Sequence, residues 1–176
     1  MRASLHRSRV HTATLSIDID ARPEHIWPWL VQMGYQRGGL YSYDWLDRLF
    51  GYLDRPSARR LLPEHQQLRV GDVIPIGRGR GFPVQSIDPY RSLVLGGREP
   101  GVEWSWEFAL EPIGRERTRL TSQSRLQIPA GLRWRLFLWV LRPAAFIMTR
   151  QMLRGLEQRS EALARATRAT RATRAA

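Results

Sequence analysis

The feature that most constrains this chain is a helical pattern in its last third, over residues 131–163. Apolar residues recur there at Ala145, Met148, Met152, Leu156 and Leu163. Spacings of three, four and seven place them on one face of an α-helix. Pro143 suits a first helical turn, where its missing N–H has no partner to lose, so the pattern predicts a helix beginning at Pro143. One amphipathic helix of this length must bury its apolar face on another element.

The residues upstream supply that element. Alternation over 12–20 predicts a half-buried strand. Two short helices follow, one from Pro23 to Gly34 with a kink or early break at Pro28, and one over 43–50. Further strands are predicted over 68–76, 82–87, 92–95, 102–112 and 118–128. Short links favour antiparallel pairing, so the order of elements predicts an α+β domain in two layers.

Composition and charge indicate where this domain begins and ends. A chain of 176 residues fits one domain, which we place at 12–164. Residues 1–11 form a basic tail, and residues 165–176 form a low-complexity Arg/Ala/Thr tail that we expect to fray. The two tails hold seven of the charges behind the net +12, which leaves +5 for the rest. The remaining arginines are scattered, which favours codon bias over a specific nucleic-acid surface.

Other classes are excluded by what the sequence lacks. There is no Cys, so disulfides and thiolate chemistry are excluded. The four histidines show no metal-ligand spacing, and we expect no metal and no cofactor. Residues 1–10 lack the apolar run of a secretory signal, so we expect a cytoplasmic protein, with membrane association as an added alternative.

Several motifs resemble those of one family. They are PEHIWPWLVQMG at 23–34, GGLYSYDWLD at 38–47, VGDVIP at 70–75, WSW at 104–106 and MLRGL at 152–156. Together they resemble uncharacterised bacterial members of the START-like, Bet v 1-like and polyketide cyclase superfamily. The resemblance covers about residues 12–163. It implies a helix-grip fold, in which a curved antiparallel sheet wraps around a long C-terminal helix, with two short helices after the first strand.

The resemblance also implies a cavity between sheet and helix for a hydrophobic or amphipathic ligand. The residues we expect to line it are Tyr41, Tyr43, Trp45, Phe82, Trp104, Trp106, Phe108, Met148 and Met152. Arg125, in the last strand, has two interpretations: a solvated sheet residue, or an anchor for an acidic head group. We expect the protein to bind the ligand for carriage or sensing. The fold itself does not determine which activity a protein has.

Catalysis is the alternative. Asp44 or Tyr43 could supply acid/base groups for cyclisation or dehydration of a polyketide-like substrate. The structural interpretation, which we favour, is that Asp44 caps the second short helix while the aromatic residues pack beneath it.

The segment 132–141 is apolar around most of its circumference, which is unusual for a surface helix. Its uninterrupted apolar run, 136–141, is far shorter than the roughly 20 residues that cross a bilayer. Arg beside Trp and Leu fits a helix lying on a membrane surface, with 132–148 as the contact. A homodimer interface or a buried elbow before Pro143 explains the segment equally well.

Overall fold

The chain consists of one antiparallel sheet, two short helices and one long helix, in a computed structural model that describes residues 8–77, 79, 81–129 and 131–175. The elements in order are β1 (Ser8–Ile19), α1 (Pro23–Val31), α2 (Asp44–Leu49), β2 (Val73–Pro75), β3 (Gly81–Asp88), β4 (Ser92–Glu99), β5 (Val102–Gly114), β6 (Arg117–Pro129) and α3 (Leu132–Ala175). A short 3₁₀ turn at Pro63–His65 lies between α2 and β2.

The strands form a six-stranded sheet in the order β1-β6-β5-β4-β3-β2, and each pair of neighbours is antiparallel. The first strand therefore pairs with the last one. Trp106 on β5 lies opposite Ser124 on β6, and Phe108 lies opposite Ser122. Because side chains alternate along a strand, these residues share the face of the sheet that α3 covers. The predicted helix-grip architecture is confirmed.

The core lies between this face of the sheet, α1 and the second half of α3. From α1, Ile26 and Leu30 are completely buried, and Leu156 of α3 is buried against the same cluster. α1 contacts both α3 and β5. Pro28 lies inside α1 without ending it, so the predicted early break is wrong. The helix ends before Gly34, whose φ of +122° is a conformation that favours glycine.

The long helix differs from its prediction at both ends. It begins at Leu132 and includes Pro143, so the predicted start at Pro143 is wrong. It also continues through the Arg/Ala/Thr segment instead of fraying after 164. The hydroxyls of Thr167, Thr170 and Thr173 each donate to the carbonyl oxygen four residues earlier, which occupies the polar groups of this segment within the helix.

The first strand begins at Ser8 rather than Thr12, so residues 8–11 belong to the sheet and not to a tail. Ser8 lies opposite Pro129 and His11 lies opposite Leu126. The strand is longer than the alternation suggested because β6 provides pairing along its whole length. The rest of the predicted N-terminal tail, 1–7, lies outside the described residues.

The connections on both sides of α2 pack against α3 near Gly155. A Cβ at Gly155 would overlap the carbonyl oxygen of Tyr41, so only glycine allows this approach. Arg159, one turn further, donates to the carbonyl oxygens of Ala58 (2.9 Å) and Gly155 (3.0 Å). Its guanidinium lies 4.7 Å from the centre of the Tyr41 ring.

Candidate ligand-binding cavity

Two adjoining cavities lie between the sheet and the first half of α3. The one we call the apolar cavity has a volume of about 740 Å³. Its lining residues are Leu40, Ser42, Phe50, Tyr52, Ile76, Phe82, Trp106, Leu136, Ala144, Ala145, Met148, Thr149 and Met152. None of them carries a charge. Its size is typical of small-molecule sites, which span about 300–1,000 Å³.

The second, which we call the amphipathic cavity, has a volume of about 580 Å³ and lies beside the edge strand β1. Its lining residues are His11, Thr12, Ala13, Thr14, Leu15, Trp106, Ser122, Ser124, Leu126, Leu138, Arg142, Pro143, Ala145, Phe146 and Thr149. It combines apolar side chains with hydroxyls, one imidazole and one guanidinium. None of its lining residues is acidic.

The two cavities meet at Trp106, Ala145 and Thr149, which line both of them. The indole N–H of Trp106 donates to the hydroxyl of Ser122 over 2.8 Å. Its ring centre lies 4.8 Å from that of Phe108 and 5.5 Å from that of Phe82. Because both the polar and the apolar parts of the indole have partners, the Trp106 side chain is held in one orientation where the two cavities meet.

Four residues expected from the sequence lie on the wall of the apolar cavity: Phe82, Trp106, Met148 and Met152. Trp104 and Phe108 do not line either cavity. Trp104 packs edge-on against Phe82, with ring centres 5.2 Å apart, and Phe108 is completely buried beneath Trp106. These two residues contact the wall residues Phe82 and Trp106 without lining a cavity themselves.

Tyr41 is a core residue, and this corrects its assignment to the cavity wall. It is 2% exposed, and its hydroxyl donates to the carbonyl oxygen of Trp29. Its φ of +58° is unusual for a residue with a side chain, and its N–H donates to the Ser57 hydroxyl over 3.2 Å. Burial raises the pKa of the Tyr41 hydroxyl, so this group stays neutral.

Tyr43 and Trp45 point outward from α2 instead of lining the cavity. Trp45 is 67% exposed, and Tyr43 is the residue that precedes the first turn of α2. The reason is the helical phase of α2, which buries Asp47 and so turns Trp45 towards the solvent.

Arg125 lies on the other face of the sheet. Its neighbours Ser124 and Leu126 line the amphipathic cavity, and successive side chains of a strand point to opposite faces. Of its two interpretations, the solvated sheet residue is the one that the geometry supports. The ligand anchor assigned to Arg125 is therefore corrected.

Asp44 is also placed away from both cavities. Its two carboxylate oxygens accept hydrogen bonds from the N–H (3.1 Å) and the hydroxyl (2.6 Å) of Ser57. The side chain therefore ties α2 to the segment that follows it. It neither faces a cavity nor caps α2, whose N-cap is Tyr43. A catalytic role for Asp44 or Tyr43 is not supported by these positions.

The carboxyl group linked to a cavity wall is that of Asp47, which the sequence did not indicate. Ser42 lines the apolar cavity and its hydroxyl donates to Asp47 over 2.6 Å. Burial raises the pKa of Asp47, the hydrogen bond from Ser42 opposes that rise, and the charge of Asp44 adds to it. The other carboxyl oxygen of Asp47 has no partner among the described residues. Ser42 and Asp47 thus form a polar pair beside an apolar space.

The amphipathic cavity contains the residues that sequence reasoning missed, above all His11 and Arg142. His11 was placed in a tail because the strand was predicted to begin at Thr12. The alternation that includes Ala13 and Leu15, extended by two residues, reaches His11. Arg142 follows the segment 132–141, which is apolar around most of its circumference, so the pattern did not predict which side of this helix faces the sheet. Among the described residues, no three His, Asp or Glu side chains cluster as metal ligands do.

Comparison with known proteins gives similarity at the level of fold. No family model and no curated protein matches the sequence. Norcoclaurine synthase from Thalictrum flavum superposes with a TM-score of 0.51 and 13% identity, over 90% of this chain and 91% of that one. The Zhui aromatase/cyclase from Streptomyces sp. R1128 gives 0.50 and 15%, over 87% and 94%. These two similarities show that this chain has the same fold as the two enzymes.

Proposed function

We propose that this protein binds a small hydrophobic or amphipathic molecule in the two adjoining cavities, for carriage or sensing. The observation that carries the proposal is the apolar cavity of about 740 Å³, in which none of the described lining residues is charged. A space of this kind excludes ions and favours an apolar body, because burying apolar surface stabilises the complex by about 25 cal/mol per Å².

The test is to fill the junction of the cavities. Replacing Ala145 with Trp puts an indole where the two cavities meet, and we expect it to abolish binding of the neutral fluorescent probe N-phenyl-1-naphthylamine. Ala162→Trp is the matched control, because Ala162 is exposed on the same helix. Equal probe binding by wild type and Ala145→Trp would contradict the proposal. Native mass spectrometry before and after organic extraction would identify a co-purified ligand.

A cyclase- or dehydratase-like activity is the alternative, and the Ser42–Asp47 pair is the observation that favours it. A carboxyl whose pKa is raised by burial keeps its proton to a higher pH than a free carboxyl does, and a general acid must hold a proton. Asp47→Asn would abolish turnover of a polyketide-like substrate and preserve its binding under this alternative. Retained turnover in Asp47→Asn would exclude this pair as the acid.

We propose an anionic membrane surface as a second partner. Trp139 and Ile147 of α3 line neither cavity and are 78% and 52% exposed. Residues 131–156 hold five Arg and no Asp or Glu. This composition suits an anionic lipid surface, whereas a two-fold homodimer would bring the same arginines together. Within the described residues, no helix is long and apolar enough to cross a bilayer.

The membrane proposal is tested by flotation with vesicles of phosphatidylcholine alone or mixed with phosphatidylglycerol. We expect binding to the mixed vesicles that weakens with salt and is lost in the double variant Trp139→Glu, Ile147→Glu. Val70→Glu is the control, because Val70 is exposed and lies outside α3. Unchanged flotation of the double variant would overturn the proposal, and dimers in sedimentation would favour the second copy instead.

A further inference from the structure

Arg142 is a cation without a partner at the wall of a cavity. It lies on α3 beside Pro143, and both line the amphipathic cavity together with His11 of β1. Among the side chains that the structure describes, none forms an ion pair or a hydrogen bond with Arg142. Its guanidinium has five N–H donors in a fork that matches a carboxylate or phosphate.

Several arginines of the protein have partners. Others, such as Arg125 and Arg150, are exposed and form no ion pair or hydrogen bond among the described residues, and Arg142, which is also exposed, differs from them by lining the amphipathic cavity. Arg37 donates to the carbonyl oxygens of Val31 (2.8 Å) and Met33 (3.0 Å). Arg159 has the carbonyl partners of Ala58 and Gly155 described above. On the surface, Arg119 donates twice to the carboxylate of Asp18. Arg142 has no such partner, although it belongs to the wall of a built cavity.

Polarity changes in one direction across the junction at Trp106. Among the described residues, those that line the apolar cavity carry no charge, and those that line the adjoining cavity supply a guanidinium, an imidazole and several hydroxyls but no carboxylate. A ligand that occupies both would therefore have its apolar body on one side of Trp106 and a hydrogen-bond-accepting, negatively charged head on the other.

We propose that Arg142, assisted by His11, binds the anionic head group of a single-chain amphipathic ligand whose apolar body fills the apolar cavity. This inference rests on the proposed binding function and adds the chemical class of the ligand. Arg142 takes the role that the sequence suggested for Arg125, because it lies on the cavity side and Arg125 does not. A charge-assisted hydrogen bond contributes about 1.5–3 kcal/mol, which corresponds to roughly 10- to 150-fold in affinity.

The experiment compares dodecanoate with dodecan-1-ol, two ligands of equal chain length that differ in the charge of the head. Each is titrated below its micelle concentration against protein loaded with N-phenyl-1-naphthylamine, and the ratio of the two dissociation constants is the readout. We expect Arg142→Gln to reduce the preference for dodecanoate by roughly tenfold or more and to leave dodecan-1-ol binding unchanged. His11→Gln should reduce the same ratio by a smaller factor.

The matched control is Arg125→Gln, which removes the same charge from the outer face of the sheet and should leave the ratio unchanged. An unchanged ratio in Arg142→Gln, or an equal decrease in both variants, would overturn the inference while probe binding still supported the proposed function. If neither ligand displaces the probe and the probe itself does not bind, the proposed function fails and the inference with it. Lost vesicle flotation in Arg142→Gln, with dodecanoate binding unchanged, would assign Arg142 to the membrane surface and also overturn the inference.

Discussion

Replacing Gly155 with Ala should destabilise the protein, although the same change stabilises most helices. Gly155 lies in the middle of α3, where Ala is favoured over Gly by about 1 kcal/mol. The added Cβ, however, would overlap the Tyr41 carbonyl oxygen and lie 2.9 Å from the Tyr41 Cβ. Tyr41 cannot move away easily, because its hydroxyl, its N–H and its ring are all engaged.

The expected magnitude follows from these opposing effects. Forcing a methyl group into a packed contact costs about 1–3 kcal/mol, and the upper part of that range applies because the contact is with backbone. After subtraction of the gain in helix propensity, the free energy of unfolding should fall by about 2 kcal/mol. For a chain of this length, this corresponds to a decrease in Tm of about 4–8 °C.

The assay is urea unfolding followed by circular dichroism at 222 nm, with Gly131→Ala as the control. A Cβ at Gly131 meets only the Trp134 ring, at an ordinary 3.9 Å. The control should therefore show no comparable loss. If Gly155→Ala were as stable as the wild type or more stable, α3 would not contact Tyr41 at this position, and the reasoning would be refuted.

Three further predictions concern the contacts around the cavities. Asp47 has a raised pKa in the folded protein, so the wild type loses stability as the pH rises from the unfolded-state pKa near 4 towards the folded-state pKa. The variant Asp47→Asn has no carboxyl group to ionise. Urea unfolding should therefore show that the free energy of unfolding of Asp47→Asn, relative to that of the wild type, increases over this pH range. Arg159→Met removes two hydrogen bonds to backbone carbonyls and should lower the free energy of unfolding by about 2 kcal/mol, whereas the exposed Arg154→Met should change it by less than about 0.5 kcal/mol. Met148→Ala should weaken binding of N-phenyl-1-naphthylamine severalfold, and Trp45→Ser should not, because Met148 lines a cavity and Trp45 does not. The measurement is a fluorescence titration, and equal affinities of the two variants would contradict this assignment.

The sheet could be predicted from the sequence because its signal is local. The alternation of β5 identifies Trp104, Trp106 and Phe108 as one face, and burial of that face requires no knowledge of distant residues. The start of α3 could not be predicted in this way. Pro143 was taken as a helix start because of its missing N–H, but a proline inside a helix removes only one backbone hydrogen bond, and the long helix continues through it.

The site was less predictable because its residues are positioned by contacts between distant segments. Asp44 was expected to cap α2, with a catalytic position at the cavity as the alternative, and its position is instead set by Ser57, thirteen residues further on. Tyr41 is held in the core by Trp29, Ser57 and Arg159, which belong to three separate parts of the chain. No periodic pattern in 35–62 encodes these contacts, so aromatic composition alone suggested a cavity wall.

The pairing of β1 with β6 has a consequence for the order in which the chain can fold. The hydroxyls of Ser16 and Thr121 are hydrogen-bonded across these strands, 105 residues apart in sequence. During synthesis the first strand therefore emerges long before its partner exists, and its half-apolar edge is unpaired until β6 has left the ribosome. Contacts between such distant residues slow folding, so the N-terminal strand should be among the last elements to become protected from hydrogen exchange.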